Sequence, residues 1–190
     1  MKSIFHLTIT LLFLIACEKA PNPLNNSKTE VKEKTFVPVY GQKYFKYDQI
    51  DFYHIDFEES NIIELDKNKN NSKLDKLKND IIIGNFPQNI NETDFLKSMD
   101  KIGYNKKEIP KSKFSEIDKV FIDKTVDASS TCVCIAFYRD ILVFKNKGKI
   151  IGIAKICFSC HQHIIIGTKI NDENFGQNGD YKKLEILLNQ

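Results

Sequence analysis

The stretch that most constrains this chain runs from Cys132 to His163. It reads Cys-Val-Cys-Ile-Ala-Phe-Tyr-Arg-Asp-Ile-Leu-Val-Phe, passes through Lys-Asn-Lys-Gly-Lys, and returns as Ile-Ile-Gly-Ile-Ala-Lys-Ile-Cys-Phe-Ser-Cys-His-Gln-His. Both arms are rich in Val, Ile, Phe and Tyr, side chains that suit a pleated, half-buried surface. Gly148 between them can take the positive φ that a short hairpin loop requires. The segment therefore predicts a β-hairpin with cysteines at its open end. The register depends on the loop. A three-residue loop closed by a glycine bulge, with Lys145 facing Lys149, sets Cys134 opposite Cys160. A two-residue turn on Lys147-Gly148 sets Cys134 opposite His161.

The N-terminus carries a second signal. Met1-Lys2-Ser3 is a short basic start, and the apolar run from Ile4 to Ala16 is broken only by His6, Thr8 and Thr10. That length matches a signal-peptide core and is too short to span a bilayer. The run ends in Leu14-Ile15-Ala16-Cys17, which resembles the lipobox of bacterial lipoproteins. The resemblance implies that residues 1–16 are a lipoprotein signal peptide that is removed and that Cys17 becomes the acylated N-terminus. Acyl chains such as palmitate, rather than a spanning helix, then hold the protein to a membrane. The expected location is the cell envelope, on the outer membrane or the periplasmic face of the inner membrane.

Residues 17–38 read as the acylated cysteine and a flexible tether, since Pro21, Pro23 and the neighbouring Asn and Ser residues break regular structure. Residues 39–190 are expected to form a single domain, enough chain to bury one core. The net charge is +3 with lysines and acidic residues interspersed. No basic stripe of the kind that tracks phosphates is present, so nucleic acid is excluded as a partner.

Within that domain, Ile50–Glu58 alternates as a strand carrying His54, expected to be a satisfied structural histidine. Asp66 to Ser72 begins like a calcium loop, but Leu77 stands where the bidentate glutamate is needed. It reads as a surface loop followed by a helix over Ser72–Asn79. Ile81-Ile82-Ile83 reads as a short buried strand. Helices are predicted over residues 93–101 and from Pro110 to about Ile122, and a last one from Asp180 as cap to Leu188. Ile164-Ile165-Ile166 continues as an extended piece, and residues 171–179 form a polar loop. The fold class is α+β: a small, mostly antiparallel sheet built around a C-terminal β-hairpin and packed with three or four helices. Arg139 is the only arginine of the chain, and it and Asp140 are expected to form a structural ion pair.

Cys132, Cys134, Cys157 and Cys160, with His161 and His163 as weaker metal or haem candidates, admit four chemistries. One or two disulfides would staple the domain outside the cytoplasm. Four thiolates could hold zinc, although Cys-x-Cys departs from the usual pair of Cys-x-x-Cys knuckles. Cys157-Phe-Ser-Cys160 could be a redox dithiol, but the residues that follow favour a strand, not the helix that lowers a thiol pKa. Cys157-Phe-Ser-Cys160-His161 matches the c-type haem attachment pattern. Met99, His54 and His163 are the few distal ligands on offer, so haem is disfavoured.

The Tyr138-Arg139-Asp140 strand, the Lys-Gly turn and Ile156-Cys157-Phe158-Ser159-Cys160 together resemble a group of exported proteins and lipoproteins from Bacteroidetes-type bacteria. The resemblance covers residues 130–185. It implies a compartment and a shared hairpin, and it brings no known activity. No catalytic set, phosphate loop or paired-carboxylate motif is identifiable in the sequence. The resulting expectation is a lipid-anchored envelope protein with a cysteine-stabilised hairpin and a binding or structural role, with no required cofactor. The alternative is an envelope thiol-disulfide oxidoreductase, or a metal- or haem-binding protein, using Cys157-x-x-Cys160-His161.

Overall fold

Strand β5 (Asp140–Asn146) carries Ile141, Leu142, Val143 and Phe144 in succession, all fully buried. Alternate residues of a strand point to opposite faces, so this sheet is covered on both sides. The computed structural model describes residues 36–127 and 134–189 and shows how that cover is built.

Seven strands and four helices are present among the described residues, in the order β1 (Tyr40–Lys43), β2 (Gln49–His54), α1 (Glu59–Lys67), α2 (Lys73–Ile82), β3 (Asn105–Glu108), α3 (Phe114–Val120), β4 (Ile122–Lys124), β5, β6 (Lys149–Cys157), β7 (Gln162–Ile166) and α4 (Asp180–Asn189). Short 3₁₀ turns occupy Asp94–Ser98 and Lys111–Lys113. The main sheet runs β3-β2-β5-β6-β7, antiparallel throughout, and β1 pairs with β4 in a separate ribbon. The α+β class with a C-terminal hairpin is therefore as the sequence indicated.

One face of the sheet presents Ile50, Phe52, Leu142, Phe144, Ala154 and Ile156 to residues of α3 and α4 and to the aromatics Phe45, Phe121 and Phe175. The other presents Tyr53, Ile141, Val143 and Ile153 to α1, α2 and Phe95 of the 3₁₀ turn. Ser72 caps α2 reciprocally: its hydroxyl accepts from the Asp75 amide (3.1 Å), and the Asp75 carboxylate accepts from the Ser72 amide (3.3 Å). At the start of α4, Asp180 sits buried and accepts from Lys124 of β4, tying ribbon to helix.

The β5–β6 hairpin turns on two residues, Lys147 and Gly148, both with positive φ (48° and 75°), the combination a type I′ turn requires. Asn146 faces Lys149 and Lys145 faces Ile150, but Phe144 faces Gly152, so a bulge displaces the register beyond the turn. Asp140 then faces Ile156 and the ladder stops. Neither expected cross-strand pairing of Cys134 arises, because Cys134 precedes the strand.

Three local readings are corrected. Ile81 and Ile82 close α2 instead of forming a strand; a short apolar run is ambiguous by periodicity alone. The first long strand ends at His54, and residues 59–67 are helical. Ile164–Ile166 does not prolong the hairpin arm: the chain reverses at Phe158–His161, and β7 returns along β6 with Gln162 facing Cys157.

Gly152 is required by packing. A Cβ there would lie 2.3–2.6 Å from the Phe45 ring, which itself stacks on Phe144 at 4.6 Å. Gly152→Ala is expected to lower unfolding stability by about 1–3 kcal/mol, the usual cost of overpacking a filled core. A urea-denaturation midpoint would measure it, and an unchanged midpoint would refute the packing argument.

Candidate functional site

The sharp reversal between β6 and β7 places Cys157 at the end of a strand and Cys160 in the turn itself. His161, the last turn residue, holds a positive φ of 50°. The segment leading into β5 runs alongside. Cys160 Sγ donates to the Ile135 carbonyl (3.3 Å), and the Gln162 amide donates to the Cys134 carbonyl (3.0 Å) and approaches its sulfur (3.7 Å). Cys157 and Cys160 are buried with Tyr138, and Ala136 and Ile164 pack against them, whereas Cys134 is exposed. Three thiols from two segments thus meet at one end of the sheet, and the structure holds all three as free cysteines. Cys132 lies outside the described residues, as does Cys17.

The Cys160 thiol neighbours both other sulfurs. Burial, reinforced by contacts with Cys134 and Cys157, pushes it up to about 12. Burial also raises the Tyr138 phenol to about 12, helped by Cys157 and Cys160. The Cys157 sulfur sits 3.5 Å from the Ser159 hydroxyl. Cys157-x-x-Cys160 is a hairpin turn rather than the start of a helix, so the amide dipoles that depress a dithiol pKa are not provided by its own backbone.

The histidines go elsewhere. His163 faces Ile156 across the ladder and therefore belongs to the face opposite Cys157. Its Nδ1 lies 2.9 Å from the Tyr181 hydroxyl, its ring packs on Phe175, and burial holds its pKa below the usual value. The His161 ring stacks on Tyr181 (centroids 5.0 Å, planes 10° apart). Among the described residues, no group of three or more His, Cys, Asp or Glu side chains is arranged to hold a metal ion.

Arg139 and Asp140 take separate hydrogen-bonding partners rather than each other. The Arg139 guanidinium donates to the Phe57 carbonyl (2.7 Å) and to Glu59 (3.3 Å) and lies 3.9 Å from the Phe57 ring centre. Asp140 meets His54 Nδ1 at 2.7 Å, while His54 Nε2 approaches Asp56 at 3.2 Å. Burial opposes the charge on His54, but the two carboxylates outweigh it and raise its pKa; burial also raises that of Asp140. His54, Arg139 and Asp140 border a cleft of about 220 Å³ with Phe158 and Ser159. No partner for His54 was legible in the sequence because Asp140 is remote along the chain.

Lys155 is a further feature the sequence did not single out. It is fully buried on the same face of β6 as Cys157, its ammonium donating to the carbonyls of Gly84 (2.7 Å) and Phe86 (2.9 Å) and lying 4.6 Å from the centre of the Tyr138 ring. Desolvation pushes its pKa down to about 7, only partly offset by Asp80. The only sequence signal was a lysine at a strand position between apolar neighbours.

Comparison with protein-family models, with curated proteins and with solved structures finds no match for this chain.

Lys155 makes a pH-dependent contribution. The unfolded chain keeps this proton to about pH 10.4, whereas the folded protein releases it near pH 7. The unfolded state therefore binds more protons across that window, and stability rises with pH through it. Each unit of separation corresponds to about 1.4 kcal/mol. The stability of the wild type relative to Lys155→Met is expected to climb between about pH 7 and about pH 10. Parallel denaturation curves for the two proteins would measure this, and a constant difference would show that Lys155 stays charged when buried.

Proposed function

We propose that this chain is an exported envelope protein, held to a bacterial membrane by lipid on Cys17. In this reading a cysteine cross-link fastens the β6–β7 turn to the segment entering β5. The role is one of binding or structure rather than catalysis. The observation that carries the cross-link is the meeting of Cys134, Cys157 and Cys160 from two chain segments at one end of the sheet. Neighbouring thiols in an oxidising compartment are converted to disulfides. A bond of this kind typically adds about 2–4 kcal/mol by restricting the unfolded chain.

One feature weighs against a catalytic dithiol. The motif opens no helix, so no helix dipole lowers a thiol pKa there. Metal binding is supported less, because His161 and His163 are engaged with Tyr181. Anchoring by lipid rests on the Ala16-Cys17 junction behind a basic start and an apolar core. Among the described residues, no helix is long and apolar enough to cross a membrane.

Intact mass of the full chain, exported from a host competent for lipoprotein processing and haem attachment, tests both parts. The expected species lacks residues 1–16, carries acyl mass on Cys17, and is lighter by two hydrogens per cross-link until reductant restores them. Cys17→Ser is expected to leave the membrane fraction. Free thiols with a metal mass lost on denaturation, or a covalent porphyrin, would overturn the cross-link.

A further inference from the structure

Exposed apolar side chains are not spread evenly over this domain. Among the described residues, Val37, Val39 and Tyr40 are exposed by 74%, 68% and 57% within one short stretch, and Ile186 of α4 by 45%. Tyr40 and Ile186 border one cleft of about 790 Å³, together with Ile122 of β4 and Leu187 of α4. The backbone here is fixed although the side chains face water. The Val39 amide donates to Thr125 Oγ1 (2.9 Å), and the Val39 carbonyl accepts from the Thr125 amide (3.0 Å). An apolar patch rimmed by polar residues marks a surface that meets a protein or a membrane.

We propose that this face docks on the lipid bilayer, with Val37, Val39, Tyr40 and Ile186 entering the boundary between headgroups and acyl chains. The inference rests on the lipid anchor argued above and adds which face of the domain the anchor brings to the membrane.

Position, shape and charge select lipid as the occupant. The patch begins one residue after Phe36, where the described domain starts, and Cys17 stands nineteen residues before Phe36. Even fully extended, that length of chain spans at most about 65 Å. Acyl chains on Cys17 therefore keep this end of the domain within reach of the bilayer. The shape is mixed, since the valines stand out from the surface while the cleft beside them is concave. Fluid acyl chains conform to both, whereas a folded partner would need a matching relief. On the rim, Lys43 meets Asp118 at 2.6 Å and Lys119 meets Glu116 at 2.6 Å. These pairs leave little net charge to seek anionic headgroups, so the contact is apolar and interfacial. A phenol such as that of Tyr40 suits such a boundary, with an apolar ring and a wet hydroxyl. The docking is one-sided: exposed Leu74 lies on α2, which covers the opposite face of the sheet.

The chain contains no tryptophan, so a single introduced indole reports depth in the membrane. The test uses the full acylated chain from a lipoprotein-processing host, reconstituted on phosphatidylcholine vesicles with brominated acyl chains. Tyr40→Trp and Ile186→Trp report from the two walls of the cleft, and Leu74→Trp from the far side. Sedimentation with the vesicles reads the anchor, and bromine quenching reads the docking. All three variants are expected to sediment. Emission is expected to be blue-shifted and quenched in Tyr40→Trp and Ile186→Trp, unquenched in Leu74→Trp, and unchanged in about 1 M salt, where charge contacts are screened. Sedimentation without quenching at either cleft position, or equal quenching at all three, would overturn the docking and leave the anchor standing. Quenching lost in salt would make the contact electrostatic and overturn the apolar docking. Unquenched but blue-shifted emission at the cleft, with cross-linked dimers, would assign the patch to a second copy instead. Failure to sediment would overturn the anchor and the docking with it. Either cleft variant decides the matter if the other fails to fold.

Discussion

Burial of β5 on both faces is the constraint on which the rest of this structure depends. A strand with Ile141, Leu142, Val143 and Phe144 all out of water cannot lie at the surface of a two-layer domain. The chain must supply one cover for each face. It does so in pieces from before and after the strand in sequence: α1, α2 and the 94–98 turn on one side, α3, α4 and a cluster of aromatic rings on the other. The neighbours β2 and β6 are buried for the same reason. One edge shows the opposite economy of apolar residues. Strand β3 is Asn-Lys-Lys-Glu, exposed throughout, the sort of charged edge that discourages pairing with another sheet.

That arrangement explains which parts of the fold were legible in the sequence. The hairpin was legible because two β-rich arms and a Lys-Gly turn are local signals. The class followed from the order of elements. Edge strand β3 was not legible, since it has no apolar alternation to read, and the 3–4-residue strands β1 and β4 are defined only by meeting each other across the chain. The hairpin register was unreadable for a different reason. The turn sets one register, and a bulge beyond it, where Gly152 lets the Phe45 ring approach the backbone, replaces it with another. No rule about the turn alone could include a contact with a residue a hundred positions away.

The candidate site divides the same way. The sequence brought the four cysteines to one end of the hairpin, and for Cys134, Cys157 and Cys160 the fold does so as well. What it could not show was the reversal at Phe158–His161, which turns a supposed extended arm into a second hairpin. Lys155 and the His54–Asp140 contact were hidden because each depends on tertiary neighbours. A buried lysine is costly unless its ammonium is hydrogen-bonded. Here two carbonyls of the 84–86 loop and the Tyr138 ring receive it, so the same residue pins that loop to the sheet beneath the thiol cluster.

Strand alternation also sorts the chemistries that the Cys-Phe-Ser-Cys-His motif allows on paper. In β6, Lys155 and Cys157 share one face and Ile156 the other; in β7, His163 faces Ile156 and so joins the opposite side. A sulfur and an imidazole separated by a pleated sheet do not converge on one ion. The turn histidine has its ring against Tyr181, on the helical cover of that same opposite face. The sulfurs are left with one another, with Tyr138 and with a serine hydroxyl. Two buried thiols of the turn and the exposed Cys134 of the other segment thus sit together without an imidazole or a helix dipole beside them. The period of two that buries β5 on both faces is therefore also what keeps the β7 histidine apart from the sulfurs.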